Sequence, residues 1–257
     1  MTAVSIVIPL CNEAPSLRRL WEELRTVAAE EAWTWEAIFV DDGSSDNSWD
    51  LISQLAASSP EAKGLRFTRN FGKSPALTAG FRTAQFPLVV MIDADLQDVP
   101  AEIPKLLAAL QGGLDLATGW KQSRQDSLGK RLASRGFNRL VNLTSGLRLH
   151  DHNCGLKAMR REVSDRIPLR GGMHRFLTVF ARQLGYRVGE VAVQHRRREF
   201  GRSKYGWRRL PEGLADLFRV TLFGQQLLAA AAADRDLYEI GAMVNVGSAG
   251  KASALGQ

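Results

Sequence analysis

The sequence predicts an α/β domain built on a mainly parallel central sheet. Three observations lead there. Short apolar runs alternate with segments of helical periodicity, and several of those runs end in acidic residues. With 257 residues of which 45% are apolar, the chain is also long enough to bury one sizeable core.

The elements follow in order. VSIVIPL (4–10) is apolar throughout, as a strand covered on both faces must be. A helix is expected from Pro15 to Glu30, with Leu17, Leu20, Trp21 and Leu24 at helical spacing. WEAIFVDDG (35–43) is the second strand, after which Asp46 or Ser45 caps a helix through Trp49, Ile52 and Leu55. GLRFT (64–68), a helix near 74–84, PLVVMID (87–93), a helix over 101–110 and DLATG (115–119) continue the alternation. Strands that alternate with helices imply parallel pairing with helices on both faces, and ligands then bind at the carboxyl ends of the strands.

The second half reads differently. LGKRLASRGFNRLVNLTSG (128–146) is an amphipathic helix with Arg131, Arg135 and Arg139 in one stripe and Leu132, Phe137, Leu140 and Val141 turned inward. RRREFGRSKYGW (196–207) gathers cations around Gly201 and Gly206, as a loop that closes over an anion would. From Trp207 to Ala233 a helix is expected with Leu210, Leu214, Leu217, Phe218 and Leu222 on one face. That face suits the interface of an anionic leaflet, packing onto its own domain, or a sister subunit in a homo-oligomer. Residues 234–257, rich in small side chains, are expected to be a disordered tail.

Charge is unevenly spread. Between Lys121 and Arg209 there are 22 Lys and Arg against 6 Asp and Glu, whereas the remainder has 12 against 21. A basic half facing an anionic partner is one consequence; a solvated basic face is the other. Cys11 and Cys154 have neither metal nor disulfide spacing, which fits a reducing cytoplasm. Val4 is reached without a basic leader, so no signal peptide is expected. The longest apolar candidate, 220–233, is interrupted by Gly224, Gln225 and Gln226 and is too short for a transmembrane span.

Acidic residues stand where the ligand of such a sheet would be. The first strand ends at Asn12 and Glu13, the second at Asp41 and Asp42, and PLVVMIDADLQDVP (87–100) ends in Asp93, Asp95 and Asp98. Carboxylates crowded together repel unless cations or donors offset them. If the strand runs on through Asp95, then Asp93 and Asp95 point to one side and suit a hard cation, Mg2+ or Mn2+, with Gln97 adding a neutral oxygen. No G-x-G-x-x-G follows the first strand and no P-loop occurs, so phosphate would be met by the metal and by cations of the basic half. His150, His152, His174 and His195 show no metal-ligand spacing and are expected to be structural or superficial. Nucleic acid is set aside as a partner, because it leaves the acidic strand ends without a role.

IPLCNE, FVDDGSSDNS, RNFGK, MIDADLQDVP, GWKQSRQDSLGKR and HRRREFGRSKY occur in the order found in family-2 glycosyltransferases. The chain most resembles the polyprenyl-phosphate type, dolichol-phosphate mannosyltransferases and bactoprenol glucosyltransferases, over roughly residues 3–222. The resemblance implies a GT-A nucleotide-sugar-binding domain over 1–206, followed by the helix over 207–233 and the tail. Carried over by position, Pro9, Cys11, Glu13, Val40 and Asp42 form the base and ribose pocket. Asp93, Ala94 and Asp95 lie along the diphosphate, with Asp93, Asp95 and Gln97 as the metal set. Lys121, Arg198 and Lys204 grip the nucleotide sugar, while Lys130, Arg131 and Ser134 receive the acceptor phosphate. Asp151 lies where the family places a candidate catalytic carboxylate, and Asp95 is the other catalytic candidate. Cys11 stands where the family has Tyr and Lys121 where Arg is common. The implied reaction is metal-dependent, inverting transfer of one hexose, from UDP-glucose before GDP-mannose, to a polyprenyl phosphate. It would take place at the inner face of the cytoplasmic membrane, on which the protein would be peripheral. A soluble or protein-linked saccharide acceptor is the alternative.

Overall fold

The computed structural model of the chain describes residues 1–121, 128–197, 210–234 and 237–247; for 128–135 and 210–214 only the backbone is described. Five strands come first: β1 (Ala3–Leu10), β2 (Thr34–Asp41), β3 (Ala62–Phe67), β4 (Leu88–Met91) and β5 (Leu116–Lys121). Between them lie α1 (Ala14–Glu30), α2 (Ser48–Ser58), α3 (Lys73–Thr83) and α4 (Ile103–Gln111). The second half supplies α5 (Leu128–Ser145), β6 (Lys157–Arg160), α6 (Arg161–Asp165), α7 (Leu177–Gln183), β7 (Val188–Val193), α8 (Leu210–Ala233) and β8 (Ile240–Val244).

The strands form one sheet in the order β7-β5-β6-β4-β1-β2-β3-β8. β1 pairs in parallel with β2 and β4, β2 with β3, and β5 with β7; β6 is antiparallel to both its neighbours, β4 and β5, and β8 is an antiparallel edge strand on β3. β1 shows why both faces are covered. Val4, Ile6, Ile8 and Leu10 pack beneath α1, α2 and α4, while Val7 packs on the other face with residues of α3, α7 and α8. That is the two-residue period of a strand buried between helical layers. α3 lies close enough that a Cβ on Gly80 would collide with Val7. The strand order reverses at β1 and β4, so a crevice opens above their carboxyl ends.

α8 is kinked at Phe223, where the backbone leaves helical values (φ −126°, ψ 23°). Gln183 of α7 donates its amide to Val220 O at 3.0 Å, serving a carbonyl near the break. Leu217, Val220, Leu228 and Ala231 are buried, whereas Phe218 and Leu222 are exposed. The single apolar face expected for 207–233 is therefore divided: Leu217 faces the core and its neighbour Phe218 faces outward, because adjacent residues on a helix point about 100° apart. Likewise Val141 and Phe137 turn inward from α5, but Leu140 is exposed.

The tail is corrected over its described part. Residues 240–244 form β8 on β3, with Tyr238 stacked on Phe67 at 5.1 Å and 9° and Asn245 donating to Ala62 O at 3.1 Å. Residues 248–257 lie outside the described residues. Among the described residues no helix is long and apolar enough to cross a membrane.

Candidate active site

The carboxyl ends of β1, β2 and β4 meet as the acidic strand ends predict, but most of the carboxylates there already hold the backbone or a cation. Pro9 and Val40 are register partners on β1 and β2. Val40 and Ala94 are buried and pack in the two core clusters on either face of the sheet. Asn12, at positive φ, accepts the N–H groups of Ser45 and Asp46 through Oδ1 at 2.8 and 3.2 Å. Asp46 accepts from the Ser48 N–H and the Ala14 N–H, serving the starts of α1 and α2 together. The Glu13 N–H donates to Ser48 Oγ at 3.1 Å. Asp42 is buried, and its carboxylate accepts the N–H groups of Phe71 at 2.6 Å and Gly72 at 2.9 Å. Asn70, in the same turn, reaches Cys11 Sγ at 3.4 Å and Asp42 O at 3.1 Å. Asp42 thus holds the 70–72 turn beside Cys11.

The D-x-D segment departs from expectation. β4 ends at Met91, so Asp93 and Asp95 lie in a turn and do not alternate along a strand. Leu96 has φ 62°, and Asp95 Oδ1 accepts the Gln97 N–H at 3.1 Å, closing the turn that ends the strand geometry. Asp93 is ion-paired with Lys73 at the start of α3. Among the described residues no three His, Cys, Asp or Glu side chains gather as metal ligands. The remaining donor set is oxygen only, from Asp95 and Gln97 with Asp93 behind them. That chemistry fits Mg2+ or Mn2+, which complete their shells with water and substrate phosphate.

Asp98 is the carboxylate whose surroundings the sequence did not disclose. It is 2% exposed, with Lys121 Nζ at 3.5 Å and His195 Nδ1 at 3.4 Å from its Oδ1. Burial pushes its carboxyl up, but Lys121, His195 and Lys73 outweigh that and hold it well below the usual carboxylate range. Lys121 is correspondingly raised: burial opposes its charge, and Asp98 more than restores it. His195, expected to be structural or superficial, belongs to this site; its Nε2 lies 3.3 Å from the Gln97 amide, and the next residue's N–H donates to Gln97 O at 2.8 Å. Arg196 then forks onto Glu23 of α1 at 2.7 and 2.8 Å. The start of the basic segment is therefore anchored beside the D-x-D turn. Arg198 and Lys204 lie outside the described residues, as do the side chains of Lys130, Arg131 and Ser134.

Asp151 is buried, its Oδ1 accepting the Asn153 N–H at 3.0 Å. Its charge supports the ammonium groups of both Lys121 and Lys157. Lys157 is fully buried on β6, donates to Cys154 O, and is lowered chiefly by that burial. Burial pushes the Cys154 thiol up to about 12, so it is no nucleophile. Gly155 makes room for this cluster: a Cβ there would collide with Asp98 and Asp93. Asp98 was visible among the acidic strand ends, but Lys73, Lys157 and His195 had no local signal in the sequence, since α3, β6 and the segment after β7 bring them to it from far apart in the chain. The amides of Asn138 and Asn142 had one, their four-residue spacing on α5.

A family model described as glycosyl transferase family 2 matches residues 5–167. The undecaprenyl-phosphate 4-deoxy-4-formamido-L-arabinose transferase of Klebsiella pneumoniae subsp. pneumoniae is 36% identical over 215 residues, covering 83% of this chain and 66% of that protein. The protein of the same description from Salmonella choleraesuis is 37% identical over 218 residues, with the same coverage. The chain thus spans 66% of the length of these relatives. Among solved structures, mannosyl-3-phosphoglycerate synthase from Rubrobacter xylanophilus matches with a TM-score of 0.68 at 17% identity, over 88% of this chain and 75% of that one. Glucosyl-3-phosphoglycerate synthase from Mycobacterium tuberculosis, in complex with Mn2+, UDP-glucose and glycerol 3-phosphate, matches at 0.64 and 20% identity, over 84% and 80%. At such identities these likenesses speak for the fold, the GT-A type. The family match over most of the chain carries more: this chain belongs to glycosyl transferase family 2.

Proposed function

We propose that the chain transfers one sugar from a nucleoside-diphosphate sugar to a polyprenyl phosphate, with inversion at the anomeric carbon. The observation that carries this reading is the interleaving of charge at the carboxyl edge, Lys73 with Asp93, Lys121 with Asp98, and Lys157 near Asp151. A departing diphosphate and an attacking phosphate bring several negative charges to one place. Lys157 is buried and Lys73 and Lys121 are partly buried, so their ammonium groups can meet those anions with little water between.

Asp95 and Gln97, with Asp93 behind them, would hold Mg2+ or Mn2+, which neutralises the leaving diphosphate when bound. The Mn2+ and UDP-glucose carried together by the Mycobacterium tuberculosis synthase support that choice. Cys11, under the turn held by Asp42, faces the base, with Pro9, Glu13 and Val40 around it. Lys121, with Arg198 and Lys204, grips the nucleotide sugar. Lys130, Arg131 and Ser134 on α5 receive the acceptor phosphate. A phosphate monoester has a second pKa near 6 and is already largely a dianion at neutral pH, so no strong base is required. Asp151 acts instead by keeping Lys121 and Lys157 charged and in place.

The acceptor follows the named activity of the relatives, which are undecaprenyl-phosphate transferases. The enzyme would work peripherally on the inner face of the cytoplasmic membrane. The donor has three candidates: UDP-glucose and after it GDP-mannose, from the likeness to the polyprenyl-phosphate type, and the 4-deoxy-4-formamido-L-arabinose of the relatives' name. The test is release of nucleoside diphosphate from UDP-glucose, GDP-mannose and nucleotide-linked 4-deoxy-4-formamido-L-arabinose, with Mg2+ or Mn2+, with and without undecaprenyl phosphate. Lipid-dependent release that Asp95→Ala abolishes is the expected result. Release indifferent to the lipid points to a soluble or protein-linked saccharide, and retained anomeric configuration overturns the single displacement.

A further inference from the structure

The segment that carries Asp151 is fastened to α5 by side chains that the transfer itself does not require. Asn138 and Asn142 stand one turn apart on that helix. Asn138 Nδ2 donates to His150 O at 2.7 Å. Asn142 Nδ2 donates to Leu149 O at 2.8 Å, and its Oδ1 accepts the Leu149 N–H at 3.1 Å. The two Leu149 contacts fix which end of the Asn142 amide is oxygen. That oxygen also lies 2.9 Å from His152 Nε2, while His152 Nδ1 lies 2.9 Å from Thr178 Oγ1 on α7. Since an amide oxygen has no proton to give, the His152 proton sits on Nε2, and Nδ1 accepts from the Thr178 hydroxyl.

Burial supports the assignment. His152 and Thr178 have no exposed surface. Desolvation, with Lys157 adding to it, pushes the imidazole down to about 4, so the ring stays neutral and keeps this one pattern of donor and acceptor. The neighbouring residue is held from the opposite side: the His150 N–H donates to Glu190 Oε2 at 2.6 Å, and its ring stacks on Trp120 at 4.1 Å and 15°. Asp151 lies between these two anchors.

We propose that Asn142 and His152 form a latch that fixes Asp151 relative to α5, and that both are positioning residues for the attack of the acceptor phosphate. The proposal rests on the sugar-transfer reading above, in which α5 receives that phosphate. Its consequence is that acceptor chemistry depends on a buried neutral histidine that touches neither substrate.

The experiment compares Asn142→Ala, His152→Phe and His152→Gln with the unsubstituted chain. Asn142→Ala and His152→Phe are expected to lower lipid-dependent turnover by about tenfold to a hundredfold, with KM for the nucleotide sugar changed by less than about twofold. His152→Gln keeps an N–H toward Asn142 and is expected to recover most of the loss. A loss shared equally by lipid-dependent and lipid-independent release, with no recovery in His152→Gln, would mean a merely structural role and overturn the latch. Amide hydrogen exchange of the substrate-free protein gives a readout that needs no activity. Exchange over 149–153 is expected to rise in Asn142→Ala while β1 and β4 stay protected; unchanged exchange over 149–153 overturns the latch. If the unsubstituted chain shows no lipid-dependent turnover, the sugar-transfer reading fails by itself, and the exchange result alone decides the fastening.

Discussion

Asp98 keeps its charge with almost no water around it because Lys121, His195 and Lys73 replace the solvent. A carboxyl held below its unfolded value adds stability at pH values above that unfolded value, near 4, and the contribution is lost as pH falls through the folded one. Removing the charge leaves Lys121 buried without its partner. Asp98→Asn is therefore expected to cost about 3 kcal/mol of unfolding free energy at neutral pH in urea titrations. A change below about 1 kcal/mol would mean that Lys121 finds another anion. His152 has the opposite chemistry but a related pH response. Its folded pKa, pushed down by burial to about 4, lies below the unfolded value near 6.5. Stability from this group is full above pH 6.5 and declines as pH falls toward 4, because only the unfolded chain takes up the proton. The loss is at most about 3 kcal/mol, and His152→Gln should flatten that part of the pH–stability curve. An unchanged slope between pH 6.5 and 4 would mean that His152 is protonated in the folded chain. Beside Asp98, Gly155→Ala would drive a methyl group into the carboxylates of Asp93 and Asp98. It should abolish turnover while leaving the far end of the sheet, where Glu36 is paired with Lys63, protected from hydrogen exchange.

At the scale of elements, what a local pattern encodes was legible and what a distant partner encodes was not. VSIVIPL and the α1 spacing carry their own burial, and the structure places a strand at Ala3–Leu10 and a helix at Ala14–Glu30. β6 has four residues, KAMR, and its lysine is fully buried only because Cys154 O and the charge of Asp151 meet it there. No periodicity announces such a strand. β8, IGAMV, reads as part of a small-residue tail until β3 offers its edge. The candidate site divides the same way. Acidic strand ends were visible as a group, whereas the lysines and His195 that neutralise them arrive from α3, β5, β6 and the segment after β7. The condition that the strand run on through Asp95 was not legible either way, because a left-handed Leu96 is not a residue that composition predicts. Tyr238 tests how firmly β8 is attached. Its ring stacks on Phe67, and its hydroxyl accepts from Arg82 at 3.1 Å. Tyr238→Ala is expected to cost about 2 kcal/mol and to increase exchange along β8 and the facing edge of β3. A loss confined to the tail, with β3 still protected, would show that β8 covers an edge the sheet does not need covered.

At the scale of the whole molecule, charge and apolar exposure fall in the same half of the chain. The sequence carries 22 cations between Lys121 and Arg209, and α5 within that stretch and α8 after it pack together and, among the described residues, expose Leu140, Leu143, Phe218, Leu222 and Phe223. Exposed large apolar side chains in the basic half of the sequence suit an anionic bilayer, where cations meet headgroups and rings enter the interface. A polyprenyl phosphate is found only there, so membrane docking and acceptor delivery would be one event. The two contributions separate by experiment. Sedimentation with vesicles containing anionic phospholipid should retain the protein at low salt and release much of it as the Debye length shrinks from about 10 Å at 0.1 M toward 3 Å at 1 M. Phe218→Asp with Leu222→Asp should weaken retention at every salt concentration, because it removes apolar burial and adds like-charge repulsion. Turnover of a short-chain polyprenyl phosphate soluble in water should survive in that double variant, since neither residue is placed in the site. Loss of turnover with the soluble acceptor would tie α8 to the chemistry itself, and equal retention on neutral vesicles would assign binding to the apolar residues alone.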